Sequence, residues 1–110
     1  MKKLNCFQTE QINKAKEENV DLESHVSSNT DWRIMDEVRL GLKDNIDLSK
    51  YVKMGMNYLQ IQEIRFGILS KIDVSKYDKP NIGHKDMREV RRYLERNKPI
   101  PLTLRLKLHI

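Results

Sequence analysis

Apolar and polar positions along this chain recur at one fixed interval, so that position 35 matches 61 and 61 matches 87, and a period in that range changes the whole fold argument. Met35, Val38 and Leu42, then Ile61, Ile64 and Ile68, then Met87, Val90 and Leu94 share a three-then-four spacing that places each trio on one face of a helix. Aligning 35-60 on 61-86 matches nine positions: Glu37/Glu63, Arg39/Arg65, Gly41/Gly67, Ile46/Ile72, Asp47/Asp73, Ser49/Ser75, Lys50/Lys76, Tyr51/Tyr77 and Lys53/Lys79. The register extends forward through Met87, Glu89, Val90, Arg91, Leu94 and Asn97, and backward through Ile12, Ala15, Asn19, Val20, Asp21 and Leu22. The pattern predicts a single all-α domain, a four-copy 26-residue helix-turn-helix repeat of short α-solenoid type. The copies lie near 9-34, 35-60, 61-86 and 87-97.

The punctuation between apolar runs follows the same interval. Asn5, Asp31, Asn57 and Gly83 are residue types favoured at a helix N-cap, and Asn5 with Gln8 and Asn57 with Gln60 have capping-box spacing. Asn19, Asn45 and Asn97 stand where a residue tolerant of left-handed backbone angles closes the last turn, and Lys71 departs from that pattern. Asp21, Asp47 and Asp73 are placed to cap a short second element carrying Leu22, Leu48 and Val74, followed by His25, Tyr51 and Tyr77.

Ala15, Gly41 and Gly67 are small at one in-helix position, where glycine is unfavourable by about 1 kcal/mol relative to alanine. A close-packed neighbouring backbone would account for that. Lys14 and Arg92 stand in the outer copies where Leu40 and Phe66 stand in the inner ones, as end-capping copies of a stack require. Trp32, Tyr58 and His84 share the position after the N-cap and are expected to pack between copies.

Beyond Asn97 the helical pattern stops at Pro99 and Pro101. Residues 98-110 then alternate Leu102, Leu104, Leu106, Leu108 and Ile110 with Thr103, Arg105, Lys107 and His109, a period-two pattern that predicts a strand-like tail. Such a strand needs a partner: the 2-7 segment, a second copy joined as a homo-oligomer, or another protein. A tail that covers the last copy is the alternative.

The strings Glu37-Val38-Arg39-Leu40-Gly41-Leu42 with Ile46-Asp47-Leu48-Ser49-Lys50-Tyr51, and Glu63-Ile64-Arg65-Phe66-Gly67-Ile68 with Ile72-Asp73-Val74-Ser75-Lys76-Tyr77 and Pro80, resemble a short helical repeat of hypothetical proteins from low-GC Gram-positive bacteria. Those proteins look like cargo of phages and conjugative elements. The resemblance covers roughly residues 9 to 97 and implies a mobile-element origin; stacked copies offer an extended surface and the tail a strand to donate, which together point to a protein-binding module, with a host defence component as target by analogy. It carries no catalytic residues to transfer, and both Lys71 and the tail depart from it.

Charge changes the picture at one end. Of the net +5, residues 1-35 carry five Lys or Arg against six acids, residues 36-84 eight against seven, and residues 85-110 eight against three. Lys85, Arg88, Arg92, Arg96, Arg105 and Lys107 form a candidate surface for nucleic acid or an acidic protein. Glu37, Glu63 and Glu89 with Arg39, Arg65 and Arg91 form a regular series that stacking would align as ion-pair ladders between copies. His25, His84 and His109 stand apart from one another without metal-ligand spacing, and no phosphate loop or nucleophile motif occurs, so neither an enzyme nor a bound metal or cofactor is expected. The lone Cys6 is expected to be a small packing residue. With no second cysteine for a disulfide, no leader in residues 1-7 and no membrane-spanning run, the expected compartment is the cytoplasm.

Overall fold

Four helices of 12 residues each begin at positions 6, 32, 58 and 84, evenly spaced along the chain: α1 (Cys6–Glu17), α2 (Trp32–Lys43), α4 (Tyr58–Leu69) and α5 (His84–Glu95). Between and after them lie shorter pieces: a 3₁₀ turn at Glu23–His25, α3 (Ser49–Lys53), a 3₁₀ turn at Val74–Lys76, and α6 (Leu102–Leu108). The computed structural model describes residues 3–110; Met1 and Lys2 lie outside them, and no strand occurs among the described residues. The long helices pack in chain order, α1 on α2, α2 on α4 and α4 on α5, giving a body of 48 × 23 × 17 Å.

Each long helix starts and stops for local reasons. Asn5 and Asn57 form complete capping boxes with Gln8 and Gln60, while the Asp31 carboxylate accepts from the Arg33 amide and Gly83 caps with bare backbone. Each helix ends when Asn19, Asn45, Lys71 or Asn97 takes φ of 59°, 61°, 60° or 53°. The next residue's amide then reaches back to the carbonyl of Ala15, Gly41, Gly67 or Tyr93 at 2.8 to 3.2 Å, which satisfies orphan carbonyls in the manner of a Schellman turn. Lys71 thus closes its helix as the asparagines do.

The aspartates expected to cap the short elements do bind their amides, but their placement varies. Asp73 is the N-cap of its 3₁₀ turn, whereas Asp21 and Asp47 sit one residue before the cap and reach Ser24 and Ser49. The small positions Gly41 and Gly67 face these short elements and no neighbouring copy's backbone. A β-carbon on Gly41 would meet Leu48 Cδ1 at 2.9 Å and the Ile46 carbonyl at 3.1 Å; one on Gly67 would meet the Tyr77 hydroxyl at 2.1 Å.

The tail corrects the period-two reading. Residues 102–108 are helical, and the structure pairs Leu104 with Leu108 on the buried side while Leu102 and Leu106 point away. Alternation in a run of leucines also satisfies the four-residue spacing of a helix, and Leu, Arg and Lys are strong helix formers where a strand would favour β-branched residues. Burying Leu104 and Leu108 is worth about 2 kcal/mol each, which decides the face of a helix too short to stand alone. Leu108 is buried, as are Ile82, Met56 and Thr30, which precede it in the sequence at the same interval as the starts of the long helices. The tail therefore continues the packing register to the end of the described chain.

Candidate binding surfaces

Buried ion pairs join successive long helices on their facing sides. Arg65 Nε donates to Glu37 Oε2 at 2.8 Å, and Arg91 Nε donates to Glu63 Oε2 at 2.9 Å, in the same sequence register. At the first interface Gln11 stands in the carboxylate's place and accepts from Arg39 Nε at 3.0 Å, with Glu18 and Asp36 taking the remaining Arg39 donors. Glu63 also accepts from Arg88 at 2.8 Å, while Glu89 is exposed. No buried side-chain polar atom among the described residues lacks a partner, so these charges are spent on packing.

Hydrogen bonding and proximity set the titration of the surface groups. The Ser70 hydroxyl, then the charge of Arg91, hold Glu95 below the usual carboxylate range. Hydrogen bonds from Lys43 and Arg39 do the same for Glu18. Burial, then the bond to Asp78, pushes the Tyr51 hydroxyl up to about 12, and burial raises Tyr77 further.

The sequence-predicted basic surface separates into two sets. Arg88 is engaged by Glu63, and Lys107 by Asp86 at 3.2 Å. Lys85, Arg92, Arg96 and Arg105 are exposed and make no ion pair among the described residues. The candidate strand-pairing residues divide the same way, Leu104 and Leu108 into the core, Leu102 and Leu106 to solvent at 64% and 66%. Cys6 is exposed at the first turn of α1, contrary to the expectation that it is a packing residue.

A surface that sequence reasoning missed lies on the outer side of the long helices, opposite the apolar stripe. On α4 this side carries Leu59, Phe66 and Leu69, the first two half-buried and the third 44% exposed, and half-buried Leu40 occupies it on α2. The guanidinium of Arg65 lies 4.9 Å from the Phe66 ring centre and that of Arg91 5.4 Å, and Arg33 lies 4.7 Å over Tyr58. At the α1 edge Phe7 and Trp32 stack with centroids 5.4 Å apart, so Trp32 meets the preceding helix at the surface. The available signal was the contrast Lys14, Leu40, Phe66, Arg92, which marks an apolar centre with charged ends on this face as well as it marks end caps.

No group of three or more His, Cys, Asp or Glu among the described residues could hold a metal ion, and no helix is long and apolar enough to cross a membrane. The described residues form an all-α protein. Family models, curated proteins and solved structures give no match to it.

Proposed function

We propose that this chain is a four-copy stack of 26-residue helical units, a short α-solenoid, and that it is a non-enzymatic protein-binding module acting in the cytoplasm. The observation that carries the reading is the outer face of α2 and α4. Leu40, Leu59 and Phe66 stand there half-buried beside the exposed Leu69, with arginines laid over the aromatic ring. Apolar and aromatic anchors ringed by arginine are the composition of energetic centres in protein interfaces. The resemblance to repeat proteins of phages and conjugative elements supports a mobile-element origin and a host defence component as the target.

The test is a comparison of the wild-type chain with a Phe66→Asp, Leu69→Asp double variant as affinity baits in lysate of the source organism. Both side chains are at the surface, so the variant should keep its helical circular dichroism. A polypeptide retained in stoichiometric yield by the wild type and lost by the variant supports the reading. Identical retention by both baits sinks it.

A second reading is sequence-tolerant nucleic-acid binding, favoured by the exposed and unpaired Lys85, Arg92, Arg96 and Arg105. It requires affinity for DNA or RNA that falls steeply with salt, with a slope set by the phosphates neutralised. Arg96→Glu with Arg105→Glu should abolish that binding and leave the protein-binding face untouched. Negligible binding of the wild type at low salt ends this reading.

A further inference from the structure

Two apolar features lie at opposite ends of the stack, and neither has a partner among the described residues. At the C-terminal end α6 directs Leu102 and Leu106 outward, both about two-thirds exposed. The positions one, two and three repeats before Leu102 hold Lys76, Lys50 and Ser24, all exposed; those before Leu106 hold Pro80, Met54 and Ser28, none of them buried. Water reaches these positions along the whole stack, so packing within the chain does not call for leucine there.

At the N-terminal end an open groove of about 450 Å³ is lined by Leu4, Ile12, Val26 and Met35, with Lys16 and Glu23 at its rim. Its origin is the order of the stack. Short elements touch their successors, as His25 reaches Asp47 at 3.8 Å and Tyr51 reaches Asp78 at 3.0 Å, and the first short element has none before it among the described residues.

Charge matches the two features. Residues 96-110 contain Arg96, Lys98, Arg105 and Lys107 and no acid; residues 17-23 contain Glu17, Glu18, Asp21 and Glu23 and no base. Glu18 is held by Arg39 and Lys43, Asp21 accepts from Ser24 and Glu23 lies 4.0 Å from Lys16, and Glu17, Asp21 and Glu23 are all exposed.

We infer that α6 of one copy docks into this groove of a second copy, head to tail. Leu102 and Leu106 enter beside Leu4, Ile12 and Val26, while Arg105 and Lys107 face Glu17, Asp21 and Glu23. The joint sets a basic helix of one molecule against the acidic end of the next. The contact is heterologous, so each copy retains a free groove at one end and a free α6 at the other, and assembly proceeds beyond the dimer. A membrane fits this helix less well. Interfacial helices use aromatic residues on a long apolar face, and no aromatic residue follows Tyr93. The joint uses neither Phe66 nor Leu69, so its failure and the failure of the proposed protein-binding face are separate events.

Sedimentation equilibrium over a range of concentrations tests the joint. The wild type should rise in mass with concentration past twice the 13.1 kDa of one chain. Leu102→Ser with Leu106→Ser removes the inserted side chains, and Val26→Asp closes the groove; each variant alone should stay at the mass of one chain. Mixed in equal amounts they should form a dimer and stop there, because only one competent groove meets one competent helix. Where Val26→Asp lowers the melting temperature, Glu23→Arg, at an exposed rim position, takes its place and should weaken self-association at least tenfold. A wild type that remains at 13.1 kDa overturns the inference, and so does one that stays monomeric and sediments with phosphatidylserine vesicles. Association that survives Val26→Asp and Glu23→Arg but not the leucine changes, or that survives all of them, overturns it as well.

Discussion

Arg65 and Glu37 bind each other at 2.8 Å between α4 and α2, both nearly removed from solvent, and the same register joins Arg91 with Glu63. A buried pair of this kind is weak evidence of net stabilisation, since desolvating both charges offsets most of their attraction. What it enforces is alignment, because a slip of one residue between the helices would leave an uncompensated charge inside. Glu37→Ala should therefore destabilise the fold by about 3 kcal/mol, as removal of one partner from a buried pair does. Glu89→Ala, at the same register position but exposed, should stay within about 0.5 kcal/mol. Urea titrations of the two variants decide this, and equal effects would contradict the alignment role.

The helix stop at Lys71 gives a second prediction. A lysine at φ 60° carries the steric penalty of the left-handed region, about 1 to 2 kcal/mol for an ordinary residue, and the Schellman bonds around it hold it there regardless. Lys71→Asn or Lys71→Gly should stabilise the protein by about 0.5 to 1 kcal/mol, read as a rise in the urea midpoint with unchanged slope. The corresponding Asn45→Lys should lower it by a similar amount.

That stop shows what could be read from the sequence and what could not. The all-helical class, the starts at Asn5, Asp31, Asn57 and Gly83, and the stops at Asn19, Asn45 and Asn97 were legible because each is a local matter of spacing and backbone preference, whereas Lys71 read as a departure because lysine has no preference for the left-handed angle it adopts. The tail was not, since leucines two apart fit both periods and only the buried environment of Leu104 and Leu108 chooses between them. The role of Gly41 and Gly67 was misjudged for a related reason: a missing side chain signals close approach without saying of what. The outer apolar face was visible only as Leu40 and Phe66 between Lys14 and Arg92, a contrast that end-capping explains equally well until the direction of those side chains is known.

Gly67 sets up a third prediction through Tyr77. Alanine is the better helix former by about 1 kcal/mol, yet its methyl would lie 2.1 Å from a hydroxyl that donates to the Glu63 carbonyl at 2.9 Å and is fully buried. Overpacking should win, with Gly67→Ala destabilising by about 1 to 3 kcal/mol. Tyr77→Phe removes the clashing atom, so the double variant should be more stable than the sum of the two losses by at least about 0.5 kcal/mol. Val74 Cγ1, at 2.7 Å from the same point, keeps the recovery partial. Strict additivity would show that the hydroxyl is not what the glycine avoids.

Alkaline pH provides a fourth. The Tyr51 hydroxyl is raised from about 10 to about 12 by burial and by its bond to Asp78, so the folded state holds its proton more tightly than the unfolded chain does. Stability from this group is complete below pH 10 and is lost progressively as pH rises from about 10 to about 12. Tyr51→Phe should flatten that part of the stability curve measured by thermal melting, and an unchanged slope would rule Tyr51 out as its source.

Gln60 makes the last prediction the most discriminating, because one side chain does three jobs. Its Oε1 accepts from the Asn57 amide at 3.0 Å, closing the capping box, and its Nε2 donates to the carbonyls of Pro80 at 3.0 Å and Ile82 at 2.7 Å. Gln8 repeats the arrangement with Ser28 and Thr30, so the device pins the loop ahead of the next long helix in two places. Gln60→Glu retains the acceptor for the box and removes both donors, turning a carboxylate oxygen toward two carbonyl oxygens in a buried site. Loss of a cap alone is worth about 1 kcal/mol, the effect expected of Asn57→Ala. Leaving polar groups buried without a partner adds about 1 to 3 kcal/mol, so Gln60→Glu should be the more damaging change although it preserves shape and the capping bond. Protonation restores one donor, and because the buried site raises the pKa of the introduced carboxyl, the deficit should shrink as pH falls toward the ordinary carboxylate value. If Gln60→Glu and Asn57→Ala prove equally destabilising at neutral pH, the loop contacts contribute nothing and the helix start alone is what Gln60 supports.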